Sequence, residues 1–310
     1  MLADTWWYYT VEREDGQYYQ GIYPNDMVLL PRVNLAGIDL RGKKALDICT
    51  MEGLMPTLMC KAGAAEVVAT DSARPSAYTK DGTDSNLEMI PKINEVRRLT
   101  NTNWAYEIVP EFTPVSHHLL KHGYGQFDLI NLSGLLYHVY SPMHWLGAVR
   151  PLVRDYGLAI ISTHVSYIQS PAMIFNEKGF LQSNLTTYWY PTVSLFDYLL
   201  RYFRLVPVRA LYSVSAPPHY GYISVVCRAV PDVVPDADDA WMQPSAWHSW
   251  DSMWFGGLEM AKRSERSTIG FKTPFEERRL SLFDTVQNTP ETPHLGATKH
   301  TAILRLSDVE

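Results

Sequence analysis

The residues best suited to chemistry lie in one strand–turn–helix–strand segment, residues 43–71, which reads KKALDICTMEGLMPTLMCKAGAAEVVATD. Asp47 begins the turn, Gly53 opens the helix, and Asp71 ends the second strand, 24 residues after Asp47. A nucleoside ligand needs a tight turn that it can approach closely, and a carboxylate about 20 residues later that binds the ribose hydroxyls. The segment therefore predicts nucleoside binding, and a βαβ unit that binds nothing is the alternative.

The turn carries Cys49 and Met51 where a glycine-rich turn has small residues. A dinucleotide site uses such glycines to expose backbone amides to a pyrophosphate, so these two side chains argue against that ligand. S-adenosyl-L-methionine has no phosphate, and its charged groups are an ammonium, a carboxylate and a sulfonium. One glycine with nearby acidic residues suits it. We therefore predict an S-adenosylmethionine site that includes Asp47, Cys49, Gly53 and Asp71.

A second group of candidates follows later strands of the same pattern. Ser133 and Gly134 close an apolar strand and are predicted to contact the cofactor, while Tyr137 and His138 follow at once. Methyl transfer is an in-line displacement that an enzyme assists by alignment and desolvation, and an oxygen or nitrogen acceptor often needs a base. We predict Tyr137, His138 and His164 as catalytic residues. A structural, hydrogen-bonded histidine is the alternative at each histidine.

Aromatic side chains form two further candidate groups for substrate binding, because their faces attract cations and stack on planar ligands. The alternative for both groups is hydrophobic packing. The candidates are Trp7, Tyr9 and Tyr19 in the N-terminal arm, and Tyr188, Trp189 and Tyr190 before a predicted helix.

Strands and helices alternate along the middle of the chain, which is the βαβ pattern of a parallel sheet. We predict an α/β, Rossmann-like fold with a seven-stranded, mostly parallel sheet that ends in an antiparallel hairpin. The predicted strands are 43–49, 66–70, 104–109, 127–132, 157–163, 205–214 and 221–230. The predicted helices are 25–36, 51–61, 87–100, 115–122, 143–153 and 192–202.

The chain divides into three predicted parts. Residues 1–40 form an aromatic arm or lid with a hairpin turn at Asp15-Gly16. Residues 41–230 form the cofactor-binding domain, with a loop-rich insert between 164 and 191. The Pro- and Asp-rich run PDVVPDADD then begins an extension, 231–310, that holds four tryptophans (Trp241, Trp247, Trp250 and Trp254). This extension fits packing on the core or a homodimer contact.

Composition limits the partners. The 310-residue chain has a net charge of −6, which gives no general attraction to a nucleic-acid backbone. It holds three cysteines and no run of 18 apolar residues, so we expect a reducing, cytoplasmic location and no membrane span. His118 and His122 lack an accompanying carboxylate motif, and no zinc pattern occurs, so no metal site is predicted.

Three stretches resemble the methyltransferases related to the tRNA wobble-uridine (5-oxyacetic acid pathway) enzymes. They are WYY…DGQYYQG leading into LRGKKALDICTMEGL, then FDLINLSGLLYHVYSPMHWL, and TTYWYPTVSLFDYLLRYF with the hairpin after it; together they span roughly residues 6–230. The resemblance implies a class I S-adenosylmethionine-dependent methyltransferase. It implies that Asp47 and Gly53 contact the methionyl part, that Asp71 contacts the ribose, and that residues 133–138 form the pocket floor. Cys49 departs from the family's glycine.

The favoured function is methyl transfer to a small-molecule acceptor, either a zwitterionic thioether such as methionine or an oxygen, nitrogen or carbon acceptor. The same scaffold hosts small-molecule enzymes, so the resemblance does not imply a tRNA acceptor. Wobble-uridine modification is the second hypothesis. A non-catalytic cofactor-binding or interaction module is the third, and Cys49 and Met51 motivate it.

Overall fold

A computed structural model describes most of the chain as far as residue 230 and short segments beyond it. The described residues are 2, 5–21, 26–72, 85–110, 113–177, 186–215, 220–230, 266–270, 281–282, 286 and 303–304. The predictions for Trp241, Trp247, Trp250 and Trp254 lie outside them. No described helix is both long enough and apolar enough to cross a membrane.

The elements alternate as the sequence pattern predicts. The helices are α1 (Asp26–Ala36), α2 (Leu54–Lys61), α3 (Ser85–Thr100), α4 (Val115–Lys121), α5 (Pro142–Val149) and α6 (Val193–Tyr202). The strands are β1 (Thr10–Glu12), β2 (Tyr18–Tyr19), β3 (Lys44–Ile48), β4 (Glu66–Ser72), β5 (Ala105–Val109), β6 (Phe127–Ser133), β7 (Val153–Ser166), β8 (Met173–Phe175), β9 (Trp189–Pro191), β10 (Leu205–Ser215), β11 (Tyr220–Ala229) and β12 (Ile303–Leu304).

The central sheet has seven strands in the order β10-β11-β7-β6-β3-β4-β5. Strands β3 to β7 are parallel, whereas β11 runs antiparallel to β7 and β10 antiparallel to β11. The predicted fold class is therefore confirmed: this is a Rossmann-like α/β arrangement whose mostly parallel sheet ends in an antiparallel hairpin. Chain order reverses between β3 and β6, and ligands of open α/β sheets bind outside the carboxyl ends of the strands at such a point.

Apolar side chains cover both faces of this sheet, because successive residues of a strand point to opposite sides. Leu46 and Ile130 belong to the core that α4, α5 and α6 cover, whereas Ala45 and Leu129 belong to the core beneath α1, α2 and α3. Along the second face, the apolar residues give way to Asp47, Asn131, Ser133 and Ser162 toward the carboxyl ends of the strands. The parallel register thus brings polar groups together at the switch point.

Two predicted helix boundaries were wrong, and strand β7 runs from Val153 to Ser166 where 157–163 was predicted. The helix predicted over 143–153 ends at Val149, since the Arg150–Leu152 turn that contains Pro151 cannot continue an α-helix, and β7 begins at Val153. The helix predicted from 51 begins only at Leu54, because residue 53 is left-handed. The insert predicted as loop-rich contributes the end of β7 and a pair of short antiparallel strands, β8 and β9.

The predicted N-terminal hairpin is confirmed. Strands β1 and β2 pair antiparallel across the turn at Asp15-Gly16, and β12 pairs with β1 on its other side. The arm packs through its own hydrophobic cluster, in which Trp7 and Tyr19 contact Leu54 of α2 and Val96 of α3. The arm is therefore docked next to the segment that follows β3.

Gly53 is required at the start of α2 for two separate reasons, and we expect Gly53→Ala to lower the free energy of unfolding by about 3 kcal/mol. Its φ is +95°, and an added Cβ would lie 2.2 Å from the Trp104 ring. Gly42 is the matched control, since its φ is +69° and nothing lies within 4 Å of an added Cβ. Gly42→Ala should cost about 1 kcal/mol. Urea unfolding compares the two, and equal losses would contradict the contact with Trp104.

Candidate active site

The turn after β3 follows a left-handed path at alternate residues. Cys49, Met51 and Gly53 have φ values of 63°, 53° and 95°. The backbone N–H groups of Cys49 and Thr50 donate to the Thr70 carbonyl oxygen at 2.8 and 3.2 Å, which fixes the turn against β4. A left-handed residue with a Cβ costs about 1–2 kcal/mol. Cys49 and Met51 therefore adopt the backbone conformation of a glycine-rich turn, and their backbone is strained as a result.

This turn borders a pocket of about 390 Å³, a volume that includes the part open to solvent. The pocket lies at the carboxyl ends of β3 and β6, where the strand order reverses. It brings together six predicted site residues: Tyr9, Asp47, Cys49, Ser133, Gly134 and Tyr137. Its remaining lining residues were not predicted; they are Tyr8, Pro31, Met55, Asn131 and Tyr222.

Asp47 is the charged group of the pocket wall, and it is 2% exposed. The Nδ2 of Asn131 donates to Asp47 Oδ1 at 2.7 Å. Burial raises the pKa of Asp47 to about 6, and the hydrogen bond from Asn131 opposes that rise. The carboxylate is therefore ionised at neutral pH although little water reaches it.

Asp71 lies at the end of β4 beside the same turn, and it is not one of the pocket-lining residues. Its carboxylate accepts a hydrogen bond from the Tyr106 hydroxyl at 3.2 Å and another from the backbone N–H of Met51. Burial raises the pKa of Asp71 well above its usual value, and the charge of Asp47 raises it further. Two carboxyl groups that repel each other make this end of the site favourable for a cation.

Glu52, which no sequence pattern indicated, binds the N-terminal arm to the turn. Its carboxylate accepts the backbone N–H groups of Tyr8 at 2.7 Å and Tyr9 at 3.3 Å. Burial raises the pKa of Glu52 to about 7, although these bonds and the charge of Lys92 oppose the rise. The Lys92 ammonium also lies 4.2 Å from the ring centroid of Trp6. These contacts hold Tyr8 and Tyr9 over the pocket.

A histidine–tyrosine cluster adjoins the other end of the pocket; it consists of Tyr137, His138, His164, Tyr190 and Tyr222. The His164 ring centroid lies 4.5 Å from that of Tyr137, 5.2 Å from that of Tyr222 and 5.4 Å from that of Tyr190. The His138 ring lies 4.2 Å from Tyr137. Four predicted residues, Tyr137, His138, His164 and Tyr190, are thus brought together, and Tyr137 and Tyr222 also line the pocket.

The histidines of this cluster are neutral at physiological pH. Burial lowers the pKa of His164 to about 4 and also lowers that of His138. The Nδ1 of His138 donates to the Thr186 carbonyl oxygen at 2.7 Å. The Nε2 of His164 is buried and has no hydrogen-bond partner among the described residues. That nitrogen is a candidate proton acceptor.

The other predicted residues lie outside the pocket lining. Trp7 stacks on Tyr19 with ring centroids 4.5 Å apart, inside the hydrophobic cluster of the arm. Tyr188 donates its backbone N–H to the Tyr137 carbonyl oxygen at 2.7 Å. Trp189 donates its ring N–H to the Tyr140 carbonyl oxygen at 3.1 Å. These contacts fit the packing interpretation, and that of Tyr188 reaches Tyr137, which lines the pocket.

The position of Asn131 could have been predicted from the alternation of side chains along β6. The strand reads FDLINLS, so Leu129, Asn131 and Ser133 share one face with Ala45 and Asp47 of the paired strand β3. Tyr222 had no comparable signal, because its position depends on the antiparallel register that places it opposite His164. Among the described residues, no three His, Cys, Asp or Glu side chains are arranged to hold a metal ion.

We expect Asp47→Asn to raise the free energy of unfolding by about 2 kcal/mol near pH 8. Because the pKa of Asp47 is higher in the folded than in the unfolded chain, ionisation of Asp47 favours the unfolded chain. The stability that the protonated Asp47 side chain contributes is therefore fully present below about pH 4 and is lost as pH rises through about 6. The gain should therefore vanish near pH 4. Urea unfolding across this pH range measures it. Asp39→Asn, which changes a partly exposed carboxylate paired with Arg41, is the control. A less stable Asp47→Asn protein at pH 8 would contradict the expectation.

No family model matches the chain, and no curated protein matches it. Solved structures that it resembles include 1,6-didemethyltoxoflavin-N1-methyltransferase of Burkholderia thailandensis with 1,6-didemethyltoxoflavin and S-adenosylhomocysteine bound (17% identity over 66% of this chain and 76% of that chain, TM-score 0.44). Another is the N-terminal domain of EvdMO1 in the presence of S-adenosylhomocysteine and D-fucose (16% identity over 73% of this chain and 92% of that chain, TM-score 0.48). A third is an S-adenosylmethionine dependent methyltransferase from Mesorhizobium loti (13% identity over 64% of this chain and 96% of that chain, TM-score 0.44).

Proposed function

We propose that this protein is an S-adenosylmethionine-dependent methyltransferase that acts on a small-molecule acceptor. The observation that carries the proposal is the position of the buried Asp47 carboxylate, which lines a pocket at the switch point of a class I sheet. One end of that pocket is acidic, and the other adjoins neutral histidine and tyrosine side chains. A cationic methyl donor and an uncharged acceptor fit these two ends.

The chemistry of the lining residues fits this cofactor better than a nucleotide phosphate. Among the described residues that line the pocket, none is lysine or arginine, and Asp47 is ionised at neutral pH. Asp47 would hold the ammonium of the methionyl part, and Asp71 would accept hydrogen bonds from the ribose. When bound, the cofactor supplies an activated methyl group on its sulfonium. Tyr8 and Tyr9 cover this region and exclude water from it.

The acceptor would bind beside the histidine–tyrosine cluster. An acceptor with an O–H or N–H group must lose a proton during methylation, and neutral His164 offers its buried Nε2 for that proton. The aromatic rings of Tyr137 and Tyr222 would orient the acceptor, since both also line the pocket. A thioether acceptor such as methionine needs no base. A variant at His164 therefore distinguishes the two acceptor types.

The other hypotheses predict different behaviour. A tRNA acceptor would require a continuous basic surface and strongly salt-dependent binding, whereas the charged group of this pocket is acidic. The non-catalytic module depends on an eroded turn, yet Cys49 and Met51 keep their left-handed conformation. We also propose a cytoplasmic location, because Cys49, Cys60 and Cys227 are all free thiols, which a reducing compartment maintains.

Calorimetric titration with S-adenosylmethionine and S-adenosylhomocysteine tests the cofactor site. We expect affinity in the micromolar range, a loss of at least about tenfold in Asp71→Ala, and no loss in the control Asp39→Ala. Affinity should weaken as pH falls through about 6, because protonated Asp47 no longer attracts the ligand's ammonium. Binding of neither ligand would overturn the proposal and favour the interaction module.

His164→Gln should lower turnover by about 10²- to 10⁴-fold if the acceptor loses a proton to His164, while the affinity for S-adenosylhomocysteine stays the same. Turnover is measured as S-adenosylhomocysteine formed from pools of metabolites and, separately, from tRNA. The control is His118→Gln, since His118 lies on α4 and contacts Glu107 at 3.3 Å. Unchanged turnover in His164→Gln would indicate an acceptor that needs no base, such as a thioether.

A further inference from the structure

The N-terminal arm presents two consecutive tyrosines to the pocket, and their rings pack against each other. The Tyr8 and Tyr9 ring centroids lie 4.9 Å apart, with an angle of 83° between the ring planes. In such an edge-to-face pair, the positive edge of one ring meets the negative face of the other. Both side chains line the pocket, so the arm contributes an aromatic wall to it.

Buried charged groups hold the backbone of this tyrosine pair. Glu52 is 0% exposed, and each of its carboxylate oxygens accepts one backbone N–H, at 2.7 Å from Tyr8 and 3.3 Å from Tyr9. Lys92 is 1% exposed; its ammonium donates to the Trp6 carbonyl oxygen, and its charge acts on Glu52. The position of the two rings therefore depends on Glu52.

Tyr9 lies close to the two carboxyl groups of the acidic end, since it is coupled electrostatically to both Asp47 and Asp71. Burial raises the pKa of the Tyr9 hydroxyl, and the neighbouring acidic groups raise it further. The hydroxyl therefore stays protonated and adds no charge. A negative ring face and two carboxyl groups both favour positive charge, and no lysine or arginine is among the described residues that line the pocket.

The donor and product forms of the proposed cofactor differ in one charge. S-adenosylmethionine carries a sulfonium and a methionyl ammonium, whereas S-adenosylhomocysteine keeps the ammonium and has a neutral thioether. A carboxylate that binds the ammonium, as proposed for Asp47, does not separate the two forms through that contact. A ring face beside the sulfonium does, because the attraction between a cation and a ring face is lost once the methyl group has left.

We propose that the Tyr9 ring selects the sulfonium form of the cofactor over its neutral thioether product, and that Glu52 positions Tyr9 for this selection. Tyr9 is thus a specificity-determining residue, and Glu52, which does not line the pocket, is a positioning residue. The selection favours turnover, since the product binds less tightly than the donor that replaces it. This inference rests on the proposed function, because it assigns a preference to the same cofactor site.

Calorimetric titration of Tyr9→Leu with three ligands tests the selection. The ligands are S-adenosylmethionine, S-adenosylhomocysteine and sinefungin, an analogue with a charged amine in place of the sulfonium. We expect Tyr9→Leu to weaken binding of the first and third ligands by about tenfold, and binding of S-adenosylhomocysteine by less than about threefold. Tyr9→Phe keeps the ring and should retain the wild-type preference. The control is Tyr18→Leu, since Tyr18 lies on the same arm, is 42% exposed and does not line the pocket.

The possible outcomes separate this inference from the proposed function. Equal weakening of all three ligands in Tyr9→Leu would make Tyr9 a wall without selectivity; that result overturns this inference and leaves the proposed function intact. Binding of none of the three ligands by the wild-type protein would overturn the proposed function and this inference with it. Tyr9→Met supplies the same comparison if Tyr9→Leu does not fold, because methionine is a flexible, non-aromatic side chain that fills irregular space.

The positioning role of Glu52 has a separate readout, which is the amide hydrogen exchange of Tyr8 and Tyr9 without ligand. In Glu52→Gln, the side-chain NH₂ group faces one of the two backbone N–H groups, which then lacks an acceptor. We expect exchange at these two amides to become about tenfold faster while exchange at Ile130, in the core of β6, stays the same. The preference for the sulfonium form should fall in the same variant.

Glu95→Gln is the matched control for Glu52→Gln. Glu95 accepts a hydrogen bond from the Tyr19 hydroxyl of the same arm at 2.9 Å, and it does not line the pocket. We expect this control to leave both the exchange at Tyr8 and Tyr9 and the ligand preference unchanged. Equal acceleration at Ile130 in Glu52→Gln, or an unchanged ligand preference, would overturn the positioning role. Lys92→Met, which removes the donor to Trp6, supplies the same test if Glu52→Gln does not fold.

Discussion

The rest of the site depends on the burial of an ionised carboxylate at the carboxyl end of β3, which is unfavourable in free energy. Asp47 is 2% exposed, and burial raises its pKa to about 6, so the fold gives up stability at neutral pH to keep a negative charge there. Proteins retain such groups where a ligand uses them. The hydrogen bond from Asn131 limits the penalty, and the parallel register of β3 and β6 places Asn131 beside the carboxylate.

The turn after Asp47 shows how backbone shape can persist when the residues that favour it are replaced. Cys49 and Met51 occupy left-handed conformations that glycine adopts without strain, and only Gly53 is a glycine there. Hydrogen bonds to Thr70 and the contact of Gly53 with Trp104 determine the path of the chain. The surrounding structure therefore maintains the turn, and the number of glycines in the turn does not reveal its backbone conformation.

The fold could be predicted because its signal is periodic and local. Apolar runs spaced by helices indicated the sheet, and Asp47 and Asp71 ended strands at the spacing that the fold requires. The boundary at Val149 and the strand pair β8–β9 lacked such a signal. Long-range contacts were also beyond local patterns: Glu52 binds an arm 43 residues before it, and Tyr222 reaches His164 through an antiparallel register. Trp7 and Tyr9 look alike in sequence, yet one packs in the arm and the other lines the pocket.

The two ends of the site differ in electrostatic character, and this difference suits the proposed reaction. Asp47 and Asp71 favour positive charge at one end, whereas burial keeps His164 neutral at the other, where its pKa is about 4. In the proposed displacement, the positive charge of the cation is dispersed over the transition state, so an apolar, neutral environment around the acceptor would favour the transition state over the reactants, in which the charge is concentrated on the sulfonium. The low pKa of His164 then makes any proton it receives short-lived. A neutral acceptor end therefore serves both the displacement and the return of the base to its starting form.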